Sequence, residues 1–399
     1  MKPFTALLGA AAGTHAADQL ALATLPLTAT LVLGAGPDLL GLLVAAQSAA
    51  WLLVSLPAGA WIDRIPRRRM LILALALGLL ASIVAVVAAA TGLVFLLGLA
   101  AIAGASGTVV YVLTSVSLLP SLVASEDLPK SNARLELARA IVSLAAPFAA
   151  GLLAQHLSPT WGYVVAALGA ALALGCVLAL PHGAAPAGGT RSSLIEAIRI
   201  GTAFVVRHEL LRSISLCAIF WNFAFTALLA IWAPLALGTL GLDPTRMGLA
   251  QSAYGAGLVL GAVVAPIVSR DLPPFLTLIF GPAASVLAAI LFLTASAADS
   301  SFLFSAVGFF LVGFGPMLWL ICQTTVRQLV TPTPLMGRVN ATVQTAIYGV
   351  RPLGALAGGF VAAHAGLQAA LLLIAASFVL STLVIVLSPL GRLRVMPAA

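Results

Sequence analysis

Gly59-Ala60-Trp61-Ile62-Asp63-Arg64-Ile65-Pro66-Arg67-Arg68-Arg69 lies between two long apolar runs, and its reading governs everything around it. Leu39 to Ala58, upstream, carries no charge, and Met70 to Ala90, downstream, carries none. Each run has the length of a helix that crosses a hydrocarbon core of about 30 Å. The charges crowded between them therefore read as a short basic loop at one face of a membrane.

Composition agrees along the whole chain. Of 399 residues, 62% are hydrophobic and 8% charged, where a soluble domain carries about 25% charged residues. Such a chain cannot cover itself with polar surface, so its solvent is mostly lipid and a soluble enzyme is excluded. The apolar runs are near-continuous, whereas a membrane β-barrel alternates polar and apolar residues in strands of about ten. Much of the apolar mass is small, with 36 glycines, which suits helices packed closely in a bilayer. The opening Met1-Lys2 and its apolar run are too long for a signal core of about 7–15 residues, and Asp18 interrupts them, so they read as the first span.

Turn residues and charges bound twelve spans. An even count places both termini on one face. On that face fall Lys2, the arginines of the quoted loop, Lys130, Arg134, Arg139, Arg191, Arg199, Arg207, Arg212, Arg270, Arg327, Arg338, Arg392 and Arg394. The opposite loops hold only Arg246, and Arg351 lies inside the eleventh span. That asymmetry predicts cytoplasmic termini and a multi-pass protein of the cytoplasmic (inner) membrane. It also explains the high pI by topology rather than by nucleic-acid binding. The expected organisation is a six-helix half over residues 1–181, a cytoplasmic linker over 182–212 and a second six-helix half over 213–399. Within the linker, Leu194, Ile195, Ile198, Phe204 and Val205 interleave with Arg191, Glu196, Arg199 and Arg207, which predicts an amphipathic helix.

The halves echo each other. Asn132-Ala133 and Asn340-Ala341, Gly151 and Gly359, and His156 and His364 all stand 208 residues apart, and Ala46-Gln47-Ser48-Ala49 repeats as Ala250-Gln251-Ser252-Ala253. Parallel repeats of six helices occur in transporters that bind substrate near the bilayer midplane between the halves.

The loop around Asp63 resembles the signature Gly-x-x-x-Asp-Arg-x-Gly-Arg-Arg/Lys of the major facilitator superfamily, with Pro66 where the family often has Gly. This resemblance implies an all-α membrane fold of twelve transmembrane helices in two six-helix pseudo-repeats. It also implies a gate motif at Gly59, Asp63, Arg64, Arg67 and Arg68. Plain positive-inside anchoring would account for some of those arginines, but not for Asp63. Asn132 to Arg139, Gly337 to Ala341 and Gly349 to Ala355 look like the branch that contains the enterobactin exporter and macrolide efflux proteins. That likeness implies export of a small amphipathic or hydrophobic molecule, siderophore-like or drug-like. Import of a nutrient and a non-transporting scaffold or sensor are the rival readings. Two features depart from drug–proton antiporters: the fourth span has no cation, and the fifth-span motif is reduced to Ala146-Pro147 with Gly151 downstream.

Single residues carry the rest. Asp18 near the middle of the first span costs about 2.5–3.5 kcal/mol to insert and must face a cavity or a partner. It reads as a proton or cation-coupling site, with a structural hydrogen bond as the alternative. His15 and Gln19 share a similar face, His15 as a second proton carrier and Gln19 toward the substrate. Arg351 would hold an anionic substrate group or pair with an acid. Trp221, Asn222, Tyr254, Trp319, Gln323 and Tyr348 are candidates to line the cavity, with packing as the competing reading. Glu136 and Arg139 form a helix-end pair at i, i+3, and Arg338 opens the eleventh span as a second-tier gate residue. Cys176, Cys217 and Cys322 have no metal-ligand spacing, the five histidines are scattered and no phosphate loop occurs. The expectation is a monomeric secondary transporter without enzymatic activity or cofactor. Its partners would be a small-molecule substrate, a proton or another ion, and the lipid bilayer.

Overall fold

Backbone N–H and C=O groups in hydrocarbon have no water to bond, so an apolar run must satisfy them within itself as helix. The computed structural model, which describes residues 3–62, 64–124, 127–180, 194–295, 300–332 and 335–397, is helical throughout, with no strand among the described residues. Six helices come first: α1 (Pro3–Leu31), α2 (Pro37–Ile62), α3 (Arg67–Thr91), α4 (Val94–Leu118), α5 (Leu128–His156) and α6 (Thr160–Leu178). Then come α7 (Leu194–Arg207), α8 (Glu209–Ala233), α9 (Pro244–Asp271), α10 (Pro274–Ala295), α11 (Ser301–Val330), α12 (Met336–Ala365) and α13 (Leu367–Leu387). Gly92 ends α3 in the left-handed conformation, φ 74°, and its N–H caps the Ala88 carbonyl.

Eleven of these helices are long and apolar enough to cross a membrane. The twelfth span is α1, whose 29 residues suffice in length while His15, Asp18, Gln19 and five threonines lower its apolarity. Only α7, at 14 residues, is too short. The sequence repeat is a structural one. Leu128 of α5 and Met336 of α12 open helices 208 residues apart, and Arg67 of α3 and Pro274 of α10 stand 207 apart. The fold is therefore twelve transmembrane helices in two six-helix pseudo-repeats.

The chain divides into two compact units. The first comprises Met1–Thr190 and Leu242–Ser252, and the second Arg191–Gly241 and Ala253–Ala399. In the first unit, α1 packs on α5 and α6, α3 on α4 and α6, and α2 on α4. Their core joins Ala10, Met70, Leu71, Ala74, Tyr111, Ala173 and Val177. Backbones approach closely where side chains vanish: a Cβ on Gly107 of α4 would stand 2.6 Å from the Ala74 carbonyl oxygen of α3, and one on Gly13 equally near that of Gly169. The opening turns of α9 also belong to this unit. A Cβ on Gly248 would collide with the Pro147 carbonyl, and Ser252 Oγ accepts a hydrogen bond from Phe148 N at 3.1 Å.

In the second unit, α8 packs on α12 and α13, α10 on α11 and α13, and α7 on α12. Ser381 of α13 donates to the Cys217 carbonyl of α8 at 2.9 Å. Trp232, Phe292 and Phe309 form an edge-to-face cluster that joins α8, α10 and α11. The amphipathic pattern of the linker resolves into α7, which lays Gly201 against the Arg338 carbonyl and buries Val205 with Leu211, Val339 and Val343. Outside the cores, large apolar side chains stay exposed, among them Phe95, Leu168, Leu172, Phe360 and Leu387. In water such a surface would aggregate; around a membrane protein it is the surface that meets lipid.

Candidate functional site

Each unit holds a cavity of its own. The cavity of the first unit has a volume of about 50 Å³ and lies among α1, α2, α3, α4 and α6. Its walls are mostly Ala and Gly, and its polar groups are Thr14, Asp18, Gln47, Ser82, Thr108 and Tyr163. The space suits a water or a small cation rather than an organic cargo. Asp18 sits at it with Gln19 Nε2 donating to Oδ2 at 3.2 Å, and it shares the lining with Thr108 of α4, whose hydroxyl donates to the Gly104 carbonyl at 3.3 Å.

The sequence candidates around Asp18 separate in space. His15 is 8% exposed and lines no part of this cavity. At i, i+3 it is turned about 60° from Asp18 on a 3.6-residue helix. Gln19 likewise stays outside the lining and acts on the carboxylate instead. Thr14, Gln47, Ser82, Thr108 and Tyr163 are the cavity groups that sequence reading did not single out. Gln47 had been visible only as part of a repeated tetrapeptide, although a glutamine in an apolar run is itself a signal.

The cavity of the second unit is larger, about 290 Å³, and is enclosed by α8, α9, α10, α11 and α12. It gathers Trp221, Asn222, Tyr254, Trp319, Gln323, Tyr348 and Arg351, all of which the sequence reading proposed, and adds Arg327 and Gln344. Arg351 is held from two sides. Its Nε donates to Asn222 Oδ1 at 2.9 Å, and its guanidinium lies 5.0 Å from the centroid of the Tyr348 ring. Asn222 is oriented in turn by Nδ2 donating to the Ala218 carbonyl at 2.9 Å. The backbone beneath Arg351 is pinned as well, because Thr226 Oγ1 donates to the Arg351 carbonyl at 2.9 Å. Trp221 donates its indole N–H to Ser285 Oγ at 2.9 Å and stacks on Phe225, which stacks on Tyr254.

The quoted loop is only partly described: Asp63 lies outside the described residues, and Gly59 falls within α2. Arg64 closes a turn after α2 with its N–H on the Trp61 carbonyl at 3.0 Å. Pro66 stands at φ −51°, ψ 126°, where proline is unstrained, which accounts for its replacing the usual glycine. Arg67 and Arg68 open α3, and Arg68 Nη2 donates to the Leu178 carbonyl at the end of α6 at 2.8 Å. A cation on the last carbonyls of a helix satisfies them and complements its dipole. Glu136 and Arg139 pair at 3.0 Å on an exposed face of α5. Arg338 opens α12, where its carbonyl accepts from Thr342 and faces Gly201 of α7. Among the described residues no group of three or more His, Cys, Asp and Glu converges as a metal site.

Twelve spans in two repeated halves, each with a polar cavity inside an apolar shell, define a multi-pass membrane protein built as a transporter. Residues 7–354 match the Major Facilitator Superfamily, and the chain belongs to that family. No curated protein matches it in sequence. Solved structures match it in fold. The nucleoside transporter NupG superposes with a TM-score of 0.79 at 14% identity, over 96% of this chain and 98% of that one. A bacterial homologue of the iron transporter ferroportin in an inward-facing state gives 0.72 at 19% identity, over 96% and 97%. A D-xylose–proton symporter gives 0.71 at 14%, over 95% and 96%. These likenesses concern the fold alone.

Proposed function

We propose that the protein is a secondary active transporter that exports a small amphipathic or hydrophobic molecule, siderophore-like or drug-like, by alternating access coupled to protons. It works as a monomer in the cytoplasmic membrane with both termini inside. The observation that carries this reading is the division of labour between the two cavities. The small space at Asp18, with a few polar groups in a wall of Ala and Gly, fits an ion, and the larger aromatic space at Arg351 fits a molecule. An intramembrane carboxylate is retained at a cost of about 2.5–3.5 kcal/mol, and such groups mark proton and ion paths. With no nucleotide-binding loop in the sequence, the driving force is an ion gradient. The likeness of the segments around Asn132, Arg338 and Arg351 to the enterobactin and macrolide exporters supports the outward direction.

Reconstituted vesicles test it. With an imposed proton gradient, flux of a hydrophobic drug or a catecholate chelator is expected to follow the gradient, and Asp18→Asn is expected to remove that dependence. The gradient-dependent rate should fall roughly tenfold or more, a barrier change of about 1.4 kcal/mol. Gradient-driven flux that survives in Asp18→Asn would overturn the coupling role. Accumulation of cargo in whole cells, rather than depletion, would reverse the direction.

A further inference from the structure

The cavity of the second unit is positively charged and has no acid of its own. Arg351 and Arg327 both line it, and no Asp or Glu does. The sequence explains why none can come from the same helices: no acidic residue follows Asp299, so α11, α12 and α13 are free of them. α10 has none either, in α8 the one acid is Glu209 at its first position, and in α9 the one acid is Asp271 at its last. Asn222 takes only the Nε of Arg351, and among the described residues no hydrogen bond or ion pair engages its terminal nitrogens. Arg327 Nε is buried without a partner. Two further polar atoms wait at the same place. Gln323 is 3% exposed with Oε1 unpartnered, and Trp319 Nε1 is an unpartnered donor.

A guanidinium in an apolar span needs a counter-charge. Arg presents a planar fork that matches a carboxylate or phosphate bidentately, and here Asn222 and Tyr348 fix the fork while leaving its outer edge free. Beside it, Trp221 and Tyr254 present ring surface held rigid by Phe225 stacked between them. Such surface suits a planar apolar body. We propose that this cavity binds a planar organic anion, its carboxylate or equivalent acid group paired with Arg351 and its apolar body against Trp221 and Tyr254. This rests on the transporter reading and narrows its cargo from amphipathic molecules in general to anionic ones. The unpaired Trp319 indole and the amide of Gln323 would hydrogen-bond polar substituents on that body.

The test is equilibrium binding to the purified full-length chain in detergent, with 2-naphthoate and indole-3-acetate as anionic probes and their uncharged amides as matched controls. The acids are expected to bind about tenfold or more tightly than the amides, the scale of a charge-assisted hydrogen-bonded pair. Arg351→Gln should erase the preference. Arg351→Lys, which keeps the charge but loses the fork, should keep a reduced one, and its retention shows that the fold survives substitution there. Equal binding of acids and amides, no saturable binding of either acid, or an unchanged preference in Arg351→Gln would overturn the proposal. Repeating the measurement in nanodiscs with and without phosphatidylglycerol separates a soluble anion from a lipid headgroup. Displacement of the acids by that lipid in the wild type, but not in Arg351→Gln, would assign the site to lipid and also overturn the proposal. Binding needs no gradient, so its failure and a failure of proton-driven export are read independently.

Discussion

Asp18 and Arg351 are charges set deep in the spans, and the structure places them in separate cavities of separate units. Their supports differ in kind. Asp18 is met by Gln19 and shares its cavity with Thr108, neutral groups that tolerate either the charged or the protonated acid. Arg351 is met by the carbonyl of Asn222 and a tyrosine ring, which favour a permanent cation. Thr108→Val is therefore expected to impair gradient-driven flux while leaving ligand binding at the second cavity unchanged, measured by vesicle flux beside equilibrium binding. Asn222→Leu should do the reverse, weakening binding of an anionic probe several-fold by releasing the Arg351 fork. At this scale the sequence was legible wherever a polar residue broke an apolar run. It was less so for Arg327, which the charge census absorbed into the cytoplasmic face, and for Gln47, which looked like a repeat marker. Distinguishing a polar residue that lines a cavity from one on another face requires the rotation of its helix, and near-uniform apolarity erases the amphipathic signal that would give it.

Among the elements, helix pairs are set by where backbone meets backbone. Gly107 lies against α3, Gly13 against α6, and Gly358 of α12 against Ala227 of α8. Overpacking typically costs about 1–3 kcal/mol, and more where backbone must move. Gly107→Leu is thus expected to lower the melting temperature of the detergent-solubilised protein and to disturb the Asp18 cavity between α3 and α4. Gly78→Ala on the neighbouring helix, where an added Cβ meets nothing within 4 Å, should leave the melting temperature unchanged. Gly201→Val offers a sharper element-level test, since α7 rests on α12 through that glycine. It should detach the linker helix, which limited proteolysis near Arg207 would report. The spans themselves were readable from run length and turn residues, with starts within a few residues of those observed. The glycine contacts were not, because in so glycine-rich a chain composition does not say which glycine touches a neighbour.

For the whole molecule, the charge census makes a topological prediction. In a cysteine-free background, single cysteines at Ala35 and Arg246 should react with an impermeant maleimide on intact cells. Cysteines at Ile65 and Arg392 should react only after permeabilisation, and the opposite pattern would overturn cytoplasmic termini. The twelve-span architecture was legible because hydrocarbon thickness, the positive-inside bias and the 208-residue repeat are independent constraints that agree. The first of the spans to be made is the one whose membrane-length stretch is less apolar than those of the other eleven. α1 carries Asp18 and His15, and its packing partners α5 and α6 begin at Leu128 and Thr160. The opening segment is therefore a weak substrate for insertion on its own, and its place in the bilayer is secured only after more than a hundred further residues have been synthesised. Biogenesis of the ion site is in this sense deferred. A nascent chain halted before α5 would leave α1 loosely seated and open to quality-control proteolysis, whereas one completed through α6 would hold it fast.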